Sequence, residues 1–126
     1  MKVKINILWI IQRVFGLALL FFGLNKIFQF IPLPEHQGFA QSFLDHLTQS
    51  GYILPIIMVA QIMAGLSLLL NRFVPVALIV MFPISLNIFL FHAFHAPGAL
   101  IPATIFLAWN SMLMLSRIRI YRALLV

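Results

Sequence analysis

The chain contains no cysteine, and only two acidic side chains, Glu35 and Asp45, occur in its 126 residues. The first absence excludes disulfides, thiolate metal sites and the CxxC thiol relays of four-helix membrane enzymes that reduce quinones. The second leaves little for acid–base catalysis: there is no carboxylate pair, no Ser-His-Asp arrangement and no Gly-rich phosphate loop. Charge is scarce altogether, at 8% of residues against about 25% in an average soluble domain.

What fills the space is apolar. Hydrophobic residues make up 63% of a chain long enough for one domain. A soluble fold of this size could not bury so much leucine, isoleucine, phenylalanine and valine, so the expected solvent is lipid. The eight basic residues cluster at segment ends and form no basic stripe, which argues against a nucleic-acid partner.

Four apolar stretches, Ile5–Phe30, Tyr52–Leu70, Phe73–Phe94 and about Ala99–Ser116, each approach the roughly 20 residues that cross about 30 Å of hydrocarbon. The expected fold is an all-α integral membrane four-helix bundle of up-down topology in a single domain, residues 1–126. Pro55, Pro75 and Pro102 fall near helix starts, where proline is tolerated. Pro83 falls inside the third stretch, where it frees the Ile79 carbonyl and should kink the helix. Lys2 and Lys4 before an apolar run imitate a signal peptide, but the run is too long and lacks a small-x-small cleavage site, so it is expected to remain as a helix. The link Asn71-Arg72 is tight, and His95-Ala96-Pro97-Gly98 is a short turn. In the long connection 31–51, Phe39, Phe43, Leu44 and Leu47 keep helical spacing, which predicts a short amphipathic helix ended by Gly51.

Basic residues set the orientation. Lys2, Lys4, Arg72, Arg117, Arg119 and Arg122 flank one side; Lys26 alone flanks the other, together with both acids and all four histidines. Both termini are therefore expected in the cytoplasm, most simply of a bacterial inner membrane, with 31–51 and 95–98 facing outward.

Four polar residues, one per stretch, lie well inside the spans: Arg13, Gln61, Asn87 and Asn110. At about 1.5 Å per residue their depths from the cytoplasmic boundary are roughly 12, 14, 21 and 10 Å. Arg13 shares a sector with Gly16 and Gly23, Gln61 with Ala64 and Gly65, Asn87 with Pro83, and Asn110 with Ala103. Small residues let membrane helices approach closely, so these four are expected to form a polar layer in the bundle core and a candidate ligand site. Arg13 is the expensive one, at about 2.5–3.5 kcal/mol on insertion scales, and no span contains a carboxylate to pair with it. Three readings stay open: snorkelling toward water, satisfaction by Gln61, Asn110 and backbone carbonyls, or donation to a carbonyl or anionic ligand such as a quinone head group or lipid phosphate. The amides Gln61 and Asn110 have an ordinary role as interhelical hydrogen bonds.

At the outer end, Asn25, Lys26, His92 and His95 form a second candidate polar cluster, with His36 and His46 in the same compartment. Imidazole beside carboxylate suits a transition metal, but the spacing matches no metal motif, and hydrogen bonds to loop carbonyls or lipid head groups explain the histidines equally. Bis-histidine haem ligation would have only the third stretch to draw on. Trp9, Trp109 and the phenylalanines read as packing or lipid-facing residues.

Several stretches resemble the DoxX family of small four-helix membrane proteins. They are Arg13-Val-Phe-Gly16 with Phe-Phe-Gly23-Leu-Asn25-Lys26, then Gly51-Tyr-Ile-Leu-Pro55, and Gln61-Ile-Met-Ala-Gly65-Leu-Ser-Leu-Leu. Pro83-Ile-Ser-Leu-Asn87-Ile-Phe-Leu-Phe-His92, and Asn110 followed by arginines and Tyr121, complete the match. The family often has glutamate where this chain has Gln61, so a proton-linked role for that position is not implied here. The resemblance implies a membrane subunit associated with a quinone-linked oxidoreductase, or, through distant relatives, an assembly chaperone. The expectation is a non-catalytic subunit or assembly factor that binds partner helices or a lipid-like ligand at the polar layer, as a homo-oligomer or with another membrane protein. A subunit of a quinone-linked oxidoreductase, with quinone as cofactor, is the alternative, and a small-molecule transporter the third reading.

Overall fold

In the computed structural model of the chain, residues 7–32 and 35–126 are described. Lys2 and Lys4, which entered the charge count above, lie outside them. Among the described residues there is no strand. The helices are α1 (Ile7–Phe28), α2 (Phe39–Gln49), α3 (Ile53–Leu70), α4 (Val74–His95), α5 (Leu100–Leu115) and α6 (Ile118–Arg122), with single 3-10 turns at Pro97–Ala99 and Ala123–Leu125. Four of these, α1, α3, α4 and α5 with its preceding turn, are long and apolar enough to cross a membrane. The chain is an all-α integral membrane four-helix bundle.

Its surface states the same thing energetically. Between 17% and 28% of the residues in each span's most apolar window are buried inside the bundle. The remaining apolar side chains face outward, which is stable only where lipid is the solvent.

The four spans alternate in direction along the chain, and two pairs dominate the packing. The most extensive contact is α1 on α3, and its closeness depends on glycine. A Cβ at Gly65 would stand 2.8 Å from the Gly16 carbonyl oxygen, and one at Gly16 would stand 2.9 Å from the Gly65 oxygen. Backbone therefore lies against backbone there, the close approach small residues permit in membranes. The second pair, α4 and α5, is joined to the first through α3 on α4. The seam between α1 and α5 is the slimmest, and aromatic rings close it: Phe15 sits 5.1 Å from both Phe106 and Trp109, centroid to centroid. Phe15, Leu19, Leu68, Leu78 and Met81 form the centre of the core.

Short connections fix the topology. Asn71 and Phe73 both adopt left-handed conformations, φ 54° and 57°, and reverse the chain between α3 and α4 within three residues. Asparagine is among the few residues that tolerate this conformation at a helix end. The amphipathic α2 lies in the long connection, bounded by Gly38 and Gly51 with φ 63° and 77°. Helix α4 continues through Pro83 to His95. The end carrying the 71–73 link and α6 is called the basic end below, and the end carrying α2 and the 96–99 turn the histidine end.

Candidate functional site

An α-helix leaves its last four carbonyls without intrahelical donors. Two of those of α3, Leu68 and Leu69, are met by the first span. Gln12 donates through Nε2 to the Leu68 carbonyl at 3.0 Å and to Asn71 Oδ1 at 3.0 Å. Arg13 donates to the Leu69 carbonyl, and its guanidinium carbon lies 4.0 Å above the Trp9 ring. A cation at a helix C-terminus is also favoured by the helix dipole. Gln12 then serves a third segment, because Arg117 donates to its Oε1 at 2.6 Å. This one amide, 4% exposed, joins α1, α3 and the segment leaving α5.

Beside it opens a hollow of about 310 Å³ lined by Leu8, Trp9, Gln12, Asn71, Leu113, Ser116 and Arg117. Tyr121 on α6 donates its hydroxyl to the Pro75 carbonyl at 2.7 Å. Burial pushes that phenol above its ordinary range, and Arg117 pulls in the opposite direction. Both acidic side chains of the protein belong to the connection at the other end. The basic end is therefore a polar pocket without a carboxylate side chain.

The four intramembrane residues singled out from the sequence are not gathered into one layer. Arg13 is at the rim, level with the last turn of α3, because its side chain leans toward the N-terminus of its own helix. Its guanidinium meets neither Gln61 nor Asn110. Gln61 is buried and accepts from Lys26 Nζ at 2.7 Å. Lys26 thus turns inward along α1 instead of ending at the outer surface. Asn110 is fully buried and donates to the Leu78 carbonyl at 3.3 Å, which ties α5 to α4. Its Oδ1 and the hydroxyl of fully buried Ser85 have no partner. Asn87 faces outward, with one N–H on the Pro83 carbonyl at 3.0 Å.

The outer cluster also divides. Asn25 is buried and clasps the chain just after α1: Ile31 N–H donates to its Oδ1 at 2.8 Å, and its amide donates to the Ile31 carbonyl at 3.2 Å. His92 and His95 instead face α2 and the residues before it. The Phe39 and His95 rings meet at a tilt with centroids 4.3 Å apart, and the His36 ring lies 6.2 Å from His92. His92 Nδ1 is 3.2 Å from the Ala96 carbonyl. Among the described residues no three His, Cys, Asp or Glu side chains are grouped to hold a metal ion.

No family model, curated protein or solved structure matches the chain. Function has to be argued from these contacts.

Gln12, Asn71 and Arg117 were missed from the sequence as a site. Arg117 and the 71–72 link appeared only as flanking residues, and Gln12 lies one position before the arginine that drew attention. Counting along a sequence gives the depth of a polar residue only from the end of its own span. In the structure Gln12 and Arg13 stand beside the terminus of α3, a relation between helices that such a count does not contain. Trp109, read as packing, also donates its indole N–H to the Ile11 carbonyl at 3.1 Å.

Proposed function

We propose that the protein is a non-catalytic subunit or assembly factor of a membrane complex, akin to the DoxX proteins its sequence resembles, and that it recognises a partner helix through the outward face of α4. Its basic end, with both termini, belongs in the cytoplasm of a bacterial inner membrane, a placement supported by the distribution of lysine and arginine.

The observation that carries this reading is Asn87. It lies near the middle of a 22-residue span, on the lipid-facing side. The Pro83 carbonyl takes one of its N–H groups, and its second N–H and its Oδ1 have no protein partner. In hydrocarbon an unsatisfied polar group costs several kcal/mol, and a second helix supplies the missing donor and acceptor. The neighbours fit that purpose. Val76, Val80, Pro83, Asn87, Leu90 and Phe94 are all exposed and alternate at spacings of four and three, the seam of a left-handed helix pair with one polar position inside it. Interhelical amide bonds of this kind contribute about 0.6–2 kcal/mol and set register.

Affinity purification after cross-linking in intact membranes tests the reading, with wild type beside Asn87→Leu. A defined membrane protein should accompany the wild type and be lost from the variant, while both give the same helical circular dichroism. Retention of that protein by Asn87→Leu would remove the basis for the proposal. Recovery of only a second copy of this chain would make the complex a homo-oligomer.

A further inference from the structure

We infer that the hollow at the basic end binds a phosphate-bearing anion, either the head group of an anionic phospholipid or a small soluble phosphate compound. The argument begins with counting donors. Arg117 presents five N–H groups and spends one on Gln12 Oε1 at 2.6 Å. Asn71 uses its Oδ1 to accept from Gln12, which leaves its two amide N–H groups on the cavity wall without a protein partner. The two amide oxygens of the lining are already engaged, Asn71 Oδ1 by Gln12 and Gln12 Oε1 by Arg117. The Ser116 hydroxyl donates to the Leu113 carbonyl at 2.6 Å and keeps only its own oxygen as an acceptor. A lining with spare donors, a fixed cation and no acidic side chain selects an anion.

The cradle is built rather than incidental. Gln12 is buried, and both its N–H groups are held by the end of α3, so its oxygen fixes where the Arg117 guanidinium stands. Gln12 is in this sense a positioning residue. A second cation, Arg13, stands on the ring of Trp9, itself part of the wall. The volume, about 310 Å³, is at the lower end of the range of about 300–1,000 Å³ found for ligand pockets.

A neighbouring feature favours an amphiphile. On α1 and α5, which both contribute to the first hollow, Ile11, Ile105, Ala108, Trp109 and Met112 line an open hollow of about 330 Å³ that is almost wholly apolar. An acyl chain laid there would carry its phosphate to Arg117 and Asn71. Basic pockets between spans on the side of the anionic leaflet hold lipid head groups in this way.

Native mass spectrometry of delipidated protein, titrated with phosphatidylglycerol, phosphatidylcholine or glycerol 3-phosphate, reads the site directly. The wild type should prefer phosphatidylglycerol over phosphatidylcholine by about tenfold or more at low salt. Arg117→Gln should abolish the preference, and Arg122→Gln, on exposed α6, should leave it intact. Equal binding of the two lipids by the wild type overturns the inference, even if Arg117→Gln fails to fold. So does an unchanged preference in a folded Arg117→Gln. Met112→Trp, which fills the apolar hollow, separates the sources: loss of phosphatidylglycerol with glycerol 3-phosphate retained supports a lipid ligand. Glycerol 3-phosphate binding as tightly as the lipid supports the soluble compound.

Discussion

Replacing Gly65 by alanine adds one methyl group at the tightest point of the bundle. The new Cβ would lie 2.8 Å from the Gly16 carbonyl oxygen and 2.9 Å from the Leu20 nitrogen, both backbone atoms that no rotamer change can move. Ordinary contact begins near 3.4 Å, so α1 and α3 must part by roughly half an ångström along their largest interface. A gap of about 0.5–1 Å forfeits a quarter to a half of each contact's attraction, and overpacking of this kind costs about 1–3 kcal/mol. Alanine returns up to about 1 kcal/mol through its better helix propensity. The expected net loss is about 1–2 kcal/mol, measured by reversible unfolding in bicelles. Gly98→Ala is the matched control, since a Cβ there has nothing within 4 Å, and it should leave stability unchanged. Gly16→Ala combined with Gly65→Ala should cost less than the sum of the two, because one separation accommodates both methyls. If Gly65→Ala is as stable as Gly98→Ala, the close backbone approach does not exist in the membrane and the reasoning fails.

Other outcomes follow from the polar contacts. Gln12→Leu should destabilise by about 3 kcal/mol in the same unfolding assay, since it leaves Asn71, Arg117 and the Leu68 carbonyl without their shared partner. Ser85→Ala should do the opposite: the fully buried hydroxyl has no partner, and its removal should stabilise by about 1 kcal/mol. Tyr121→Phe loses the bond to the Pro75 carbonyl and should cost about 1 kcal/mol at neutral pH. It should also change the alkaline limb. With its pKa raised above 10.0 in the folded state, Tyr121 keeps its proton where the unfolded chain has lost it. Wild-type stability therefore falls as pH climbs from about 10 through the raised value. A Tyr121→Phe protein with the same alkaline decline would show that another group controls it.

The spans were legible because lipid imposes a length and a composition that few other constraints imitate. Helix α2 was legible because Phe39, Phe43, Leu44 and Leu47 repeat at helical spacing in a polar segment. The small-residue sectors of α1, α3 and α5 point inward, as their sequence patterns imply, and the facing of α4 is what could not be read. When core and solvent are both apolar, a helix such as α4 carries almost no contrast between its faces, and Asn87 was assigned inward although it points out. Arg13 was visible as a cost, but its partner is a backbone carbonyl of Leu69, which has no signature in side-chain identity. The inward turn of Lys26 onto Gln61 was hidden similarly, since a lysine near a helix end could as readily have reached for water.

The capping of α3 by Gln12 and Arg13 also bears on biogenesis. A ribosome releases α1 well before α3, with residues 29–52 between them. During that interval Arg13 lacks the Leu69 carbonyl, and α1 alone carries an arginine near its basic end, at a cost below the ~2.5–3.5 kcal/mol of a central position. Lateral release of α1 into the bilayer is therefore expected to wait for α3, and the two should leave the translocon as a hairpin. A glycosylation-site assay on chains truncated before and after α3 checks this: α1 should integrate less completely in the short chain than in the long one. The first transmembrane segment of this protein completes its polar contacts only with one that has yet to be translated.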